Sequence, residues 1–180
     1  LIQEVIYYIY AQDYHVIVCG TESKEITKNN VKFVKQGIHL YWPEICIDCD
    51  TAIIVRKIII HKLKSILGER EEFNTWDDVV DISVYKNNGI RMVGSSKCSY
   101  KNKDLIDDKR TYIPIYIVDC YRVNHKNKLT ELIKNKYLLV KTTSIQIFEE
   151  KNILPIINYP EFINTVEYCE PCDTNNHTYD

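Results

Sequence analysis

An α+β fold, with a mixed or antiparallel sheet flanked by helices, is what this sequence predicts. Three observations carry that expectation. Short β-branched or alternating runs lie at 15–19, 31–42 and 111–120. Two longer stretches, 1–14 and 51–67, instead space their apolar residues for a helix. No internal repeat points to a solenoid, so the mixture reads as a sheet covered by helices. A chain of 180 residues suits one domain and can bury a good core. The expected organisation is that domain over 1–160, followed by an irregular tail over 161–180.

Leu1 to Tyr14 places Ile2, Val5, Ile6, Ile9 and Tyr10 at helical spacing. His15 to Cys19 reads as a strand and the polar run Thr21 to Asn30 as a loop. Val31 to Trp42 alternates as one strand and stops at Pro43, and Glu44 to Asp48 reads as a short strand. Thr51 to Leu67 is expected to be a helix, capped by Asp50 and stopped at Gly68. Asn74 to Val80 suggests one helical turn. Asp81 to Lys86 and Ile90 to Ser95 flank Asn87-Asn88-Gly89, a hairpin signal. Thr111 to Cys120 reads as a strand, Lys128 to Lys136 as a helix, and Tyr137 to Phe148 as one or two strands.

Bulk composition excludes little. Net charge is −2 and the pI about 6.2, so any claim on nucleic acid must rest on local charge. No apolar run approaches the roughly 20 residues that span a bilayer. Seven cysteines, an odd number, argue against a closed disulfide framework and for a reducing compartment. The chain opens at Leu1 directly in an apolar segment, which suggests a fragment.

The expected hairpin groups polar residues. With a three-residue turn ending in Gly89, Tyr85 faces Arg91 and Asp81 faces Ser95. Ile82, Val84, Ile90 and Met92 then share one face, while Asp81, Arg91, Ser95 and Lys97 share the other. A carboxylate among such cations can hold a divalent metal while the cations hold phosphates. The plainer reading is a solvated face with cross-strand ion pairs. Along 31–42, period two sets Lys35, Gly37, His39 and Tyr41 on one face and Ile38, Leu40 and Trp42 on the other. His39 can donate to a phosphate oxygen, Lys35 adds charge, and Gly37 leaves room for a ligand.

In the tail, Cys169 and Cys172 form a C-x-x-C with His177 beyond, while Cys120 and His125 lie close in sequence. A structural zinc site needs four ligands, so Cys169 and Cys172 supply half of one, or are free thiols. Cys19, Cys46 and Cys49 read as small core residues.

Together these segments resemble the archaeo-eukaryotic primase superfamily, in particular the primases of large nucleocytoplasmic DNA viruses. The likeness rests on KQGIHLYWP at 35–43, the helix AIIVRKIIIHKLKSIL, WDDVVDISVY at 76–85 and GIRMVGSSKC at 89–98, in that order. It covers roughly residues 15 to 120. It implies a primase catalytic core with an RRM-like half over 1–160. The family's Ser-x-His motif falls on His39 as a triphosphate contact, with Gly37 in place of the Ser and Lys35 as a basic neighbour. Its metal-binding Asp falls on Asp81, and two phosphate-binding cations fall on Arg91 and Lys97. With Ser95 beside them, the nucleotide-binding set is Lys35, His39, Arg91, Ser95 and Lys97. His39 and Asp81 are the catalytic pair.

The first family motif, an acidic pair on a strand, has no match before His39, since Asp13 is single. The resemblance therefore implies that this motif strand lies upstream of residue 1. Asp48-Cys49-Asp50 is literally Asp-x-Asp, but it follows the His motif and sits where a cap is expected. The resemblance further implies Mg²⁺ or Mn²⁺ on Asp81 and an upstream pair, with Zn²⁺ in the tail. It implies NTP or dNTP substrates, a single-stranded DNA template, and a helicase domain in the same polypeptide. It places the protein in the cytoplasm of an infected host cell, away from any membrane. The expected activity is primer synthesis by nucleotidyl transfer. The rival is a non-catalytic nucleic-acid-binding or scaffold domain of a replication protein.

Overall fold

The computed structural model describes residues 1–70, 73–86, 90–96, 98–101, 104–107, 110–144 and 153–160. The fold is α+β, with small antiparallel sheets flanked by helices. Helix α1 (Ile2–Tyr10) buries Val5, Ile6, Ile9 and Tyr10, the residues whose spacing predicts it, and ends at Ala11 in the left-handed region (φ 50°). Strand β1 (Val16–Gly20) follows. It is central in a three-stranded sheet whose partners are β4 (Ile38–Tyr41) and β7 (Ile113–Val118), both antiparallel to it.

The polar segment expected to be a loop is a strand. β2 (Lys24–Lys28) pairs with β3 (Val31–Lys35) across Asn29-Asn30. Both asparagines have positive φ, 52° and 62°. Two such residues in succession make the two-residue turn whose twist matches a hairpin, and Asn tolerates that conformation. A second correction follows. The run 31–42 is two strands in different sheets, broken at Gln36-Gly37. Thr21 holds the break: its N–H donates to the Gly37 carbonyl (3.0 Å) and its Oγ1 accepts from Gly37 N (3.1 Å). The Gln36 side chain donates to the Thr21 carbonyl (3.0 Å).

Residues 44–48 are no strand among the described elements; Trp42 to Ile45 closes a turn. Helix α2 (Cys49–Leu67) is capped by Asp48, not Asp50: the Asp48 carboxylate accepts from Thr51 N at 2.7 Å. That bond, from the backbone of the third helical residue, also holds Asp48 below the usual carboxylate range. Gly68 ends the helix at φ 81°. Helix α3 (Trp76–Val79) has a capping box between Thr75 and Asp78.

The expected hairpin over 81–95 does not form on its first arm. Residues Ser83–Lys86 are a helical turn, α4. Asp81 Oδ1 accepts from Ser83 N (2.8 Å) and Tyr85 N donates to Ile82 O (3.0 Å). A short acidic side chain that bonds its own backbone competes with a strand ladder, and here it wins. The turn 87–89 lies outside the described residues. Residues 90–96 form no strand; Met92 to Ser95 is a tight turn with Gly94 at φ 86°.

Strands β5 (Cys98–Lys101) and β6 (Asp104–Asp107) make a separate two-stranded ribbon. Beyond β7 come α5 (Lys126–Lys134) and α6 (Lys136–Thr143). Residues 137–143, which the sequence predicts as strand, lie in helix α6. Asn135 caps them by accepting from Leu138 N (3.0 Å), and Leu138 and Leu139 pack on a core that a helix reaches. Residues 145–148 and the tail 161–180, with Cys169 and Cys172, lie outside the described residues.

Two apolar clusters hold this arrangement. One joins α1 and α2 with Trp76 and Ile156. The other lies on one face of the sheet: Ile17, Cys19, Tyr41 and Ile117 meet Val93, Tyr112 and Leu132.

Candidate nucleotide-binding site

His39 lies opposite Cys19 in the β1–β4 pairing, and Tyr41 lies opposite Ile17. Paired residues share a face, so His39 belongs to the face that carries the second apolar cluster. This corrects the expectation that His39 avoids the apolar face and Ile38 takes it: Ile38 is 58% exposed.

The imidazole is half-buried between two tyrosines. Its Nδ1 lies 3.0 Å from Tyr41 Oη. Its ring stacks on Tyr112, with centroids 3.5 Å apart and planes 17° off parallel. Arg91 places its guanidinium 4.8 Å from the Tyr112 centroid and donates to the Arg110 carbonyl (3.3 Å). Gly94 N donates to Tyr112 O (2.9 Å), which docks the 92–95 turn against the start of β7. Tyr112 therefore touches both His39 and Arg91.

Electrostatics follow from this packing. Burial, and then the Arg91 charge, push the His39 pKa down to about 4, so the ring is neutral near pH 7. Burial first, then Cys19 and Tyr112, pushes the Tyr41 hydroxyl well up, so it keeps its proton. Burial pushes the Cys19 thiol up to about 12, an inert core thiol as expected. Cys46 is part-buried, whereas Cys49 is exposed and donates to the Tyr85 carbonyl, so it is no core residue.

Sequence reasoning missed Tyr112, and a bulge explains why. Val18 pairs with Tyr116, but the next residue, Cys19, pairs with Pro114. Ile115 is the extra residue, and it reverses the alternation between the two halves of β7. Strict period two would set Tyr112 with Tyr116, against Ile117. With the bulge, Tyr112, Pro114 and Ile117 are all buried while Tyr116 is 49% exposed. Only a faulty apolar rhythm in 112–118 signals this in the sequence.

Gly37 has a different use from the one expected. The room above it is filled by the chain itself: a Cβ there would collide with the Tyr112 hydroxyl and lie 3.0 Å from its Cζ. Lys35 ends β3 in the β2–β3 ribbon, paired with Lys24, and is exposed. The structure does not set it beside His39 on one strand. Ser95 donates to the Met92 carbonyl (3.0 Å) within its turn. Lys97 is outside the described residues.

Asp81 is exposed and sits between α3 and α4. Its carboxyl is held below the usual range, chiefly by the Ser83 hydrogen bonds, with a smaller contribution from Arg56. Arg56 is buried in α2 and donates to the carbonyls of Val80 and Asp77 and to the Asp77 carboxylate (3.0 Å). It thereby pins the 77–80 backbone that precedes Asp81. No hydrogen bond or ion pair joins Asp81 to His39 or Arg91 among the described residues. The link is indirect: Tyr85, on the same turn as Asp81, lines an apolar cavity of about 280 Å³ together with Leu40 and Tyr41.

The fit to a metal is poor among the described residues. No group of three or more His, Cys, Asp and Glu side chains there is arranged to hold an ion. Asp81 stands alone, with one oxygen engaged by Ser83 N. His125 Nε2 lies 3.0 Å from Asp119 Oδ2, and Cys120 N donates to Asp13 Oδ1 (2.9 Å). These contacts tie the end of β7 to α5 and to the segment after α1.

The order of the segments described above, and not the local geometry at Tyr112, is what can be compared with the archaeo-eukaryotic primase superfamily. The chain belongs to that superfamily: residues 1–107 match the family model of the C962R protein N-terminal AEP domain. No curated protein and no solved structure matches.

Proposed function

We propose that this chain is the nucleotide-binding part of a primase or primase-polymerase, extending primers on single-stranded DNA during viral DNA replication. One observation carries the reading: His39 and Arg91, far apart in sequence, both contact the Tyr112 ring and offer complementary donors. In the tautomer in which Tyr41 Oη donates to Nδ1, a neutral His39 carries its proton on Nε2. That N–H and the Arg91 guanidinium are donors for phosphate oxygens. The guanidinium brings fixed charge and a planar fork. The imidazole brings a donor whose strength does not change across neutral pH.

In nucleotidyl transfer the 3′-hydroxyl of the primer attacks the α-phosphate and pyrophosphate leaves. Donors held in place beforehand lower the barrier by meeting the negative charge that grows on the leaving group. His39 and Arg91 fill that role. The described residues do not by themselves make a metal centre. The substrates are NTPs or dNTPs. Template, a helicase domain in the same polypeptide, and a cytoplasmic replication site complete the proposal by family resemblance.

One observation favours the second reading, a non-catalytic nucleotide- or nucleic-acid-binding module. Asp81 accepts from Ser83 N in a local turn, and among the described residues no hydrogen bond or ion pair joins it to His39 or Arg91. The test is ATP binding by calorimetry alongside primer synthesis on poly(dT) with Mn²⁺. Arg91→Ala should weaken ATP at least tenfold, the scale of a lost charged hydrogen bond of about 1.5–3 kcal/mol. Unchanged ATP affinity in Arg91→Ala and His39→Ala would remove the site. Binding without synthesis would select the second reading.

A further inference from the structure

We propose that Tyr112 is a positioning residue for the nucleotide site, holding His39 and Arg91 in register for one phosphate group, and that Gly37 is glycine to admit it. The inference rests on the nucleotide reading above; it adds Tyr112, which neither the family match nor the sequence motifs assign, and gives Gly37 a different role. Three contacts point the same way. The Tyr112 ring lies flat on His39. The Arg91 guanidinium lies against the same ring. The hydroxyl end reaches over Gly37, two residues before His39 on the adjoining chain, where any Cβ would collide with it. Tyr112 is itself buried, at 7% exposure, and its carbonyl is bonded by Gly94 N.

The physical reason is rigidity. A half-buried imidazole with one hydrogen bond, to Tyr41, can still rotate about its side-chain bonds; a stacked plate removes that freedom. A fixed ring fixes the direction of Nε2–H, and a donor held in place loses less entropy when phosphate binds. The Arg91 fork is held by the same plate and by the Arg110 carbonyl. The bulge at Ile115 turns Tyr112, the residue just before β7, to this face.

The experiment compares Tyr112→Leu, Tyr112→Phe, Gly37→Ala and the double variant Gly37→Ala/Tyr112→Leu. Two quantities are read. One is the His39 imidazole, by ¹⁵N NMR titration, for tautomer and titration midpoint. The other is the dissociation constant for ATP. Tyr112→Leu should release His39 towards an ordinary histidine titration and weaken ATP roughly tenfold, while Tyr112→Phe, which keeps the plate, should change neither much. Gly37→Ala should mimic Tyr112→Leu, and the double variant should be no worse than either, because both break one contact. A folded Tyr112→Leu protein with an unaltered His39 titration and ATP affinity would overturn the proposal. Should that variant fail to fold, Gly37→Ala, which leaves Tyr112 in the chain, carries the same test. If His39 responds to these changes but the parent protein binds no ATP, the nucleotide reading falls and the positioning contact stands.

Discussion

At the scale of single residues, His39 sets the behaviour of the site through its proton. Its neighbours are Tyr41, Tyr112, Cys19 and the Arg91 charge; burial among them, and then that charge, disfavour an imidazolium. Its pKa falls to about 4, below the ordinary 6.5. The unfolded chain therefore takes up the proton first as pH falls. Stability from this residue is full above 6.5 and is lost as pH drops towards 4. The carboxyls of Asp48, Asp78 and Asp81, all held low by hydrogen bonds, add their loss only below their ordinary range. Melting temperatures taken from pH 7 to 4.5 should decline, and His39→Gln should flatten that decline. An unchanged slope in the variant would show that the ring is not desolvated as described.

At the scale of elements, caps and turns decide where the sequence was legible. The long helix α2 could be read from its spacing, yet its cap was misplaced by two residues, because both Asp48 and Asp50 are acceptable capping types. The difference is measurable. Asp48→Ala should cost about 1 kcal/mol in a denaturant melt and Asp50→Ala little; equal losses would contradict the assignment. The β2–β3 hairpin was hidden because its turn is Asn-Asn and its strands carry lysines on both edges. Asn30 sits at φ 62°. Replacing it with Val, which resists that region, should cost about 1–2 kcal/mol, and Asn30→Gly should be tolerated. Circular dichroism melts check both. A Val variant as stable as the parent would exclude this turn. The element read with least success is the 81–95 segment, where alternation of apolar residues suggested strands. The backbone follows the Asp81 side chain into a helical turn instead.

At the scale of the whole molecule, the α+β class and the family were legible, because they depend on the order of segments more than on their boundaries. The pairing of His39 with Arg91 was expected only through family resemblance. The plate between them could not be read, since a one-residue bulge in β7 decides which face Tyr112 takes. Basic and acidic residues nearly cancel over the chain, at a net −2, so the proposed phosphate recognition rests on a local arrangement and not on global charge. Arg56 shows how that arrangement is supported from a distance. Buried in α2, it bonds the backbone on which Asp81 stands. Arg56→Met should leave those carbonyls unsatisfied and cost about 2–3 kcal/mol, seen as a lower urea midpoint; a cost near zero would show the contact to be incidental.

The central claim is that His39 and Arg91, set by Tyr112, receive the phosphates of a nucleotide. It is tested most directly by following the His39 and Arg91 side-chain ¹⁵N signals while ATP and, separately, adenosine are added. Saturable shifts at both residues with ATP, absent with adenosine and diminished as salt is raised, are what the account predicts. Shifts of equal size with adenosine, or none at these residues while ATP binds elsewhere, would contradict it.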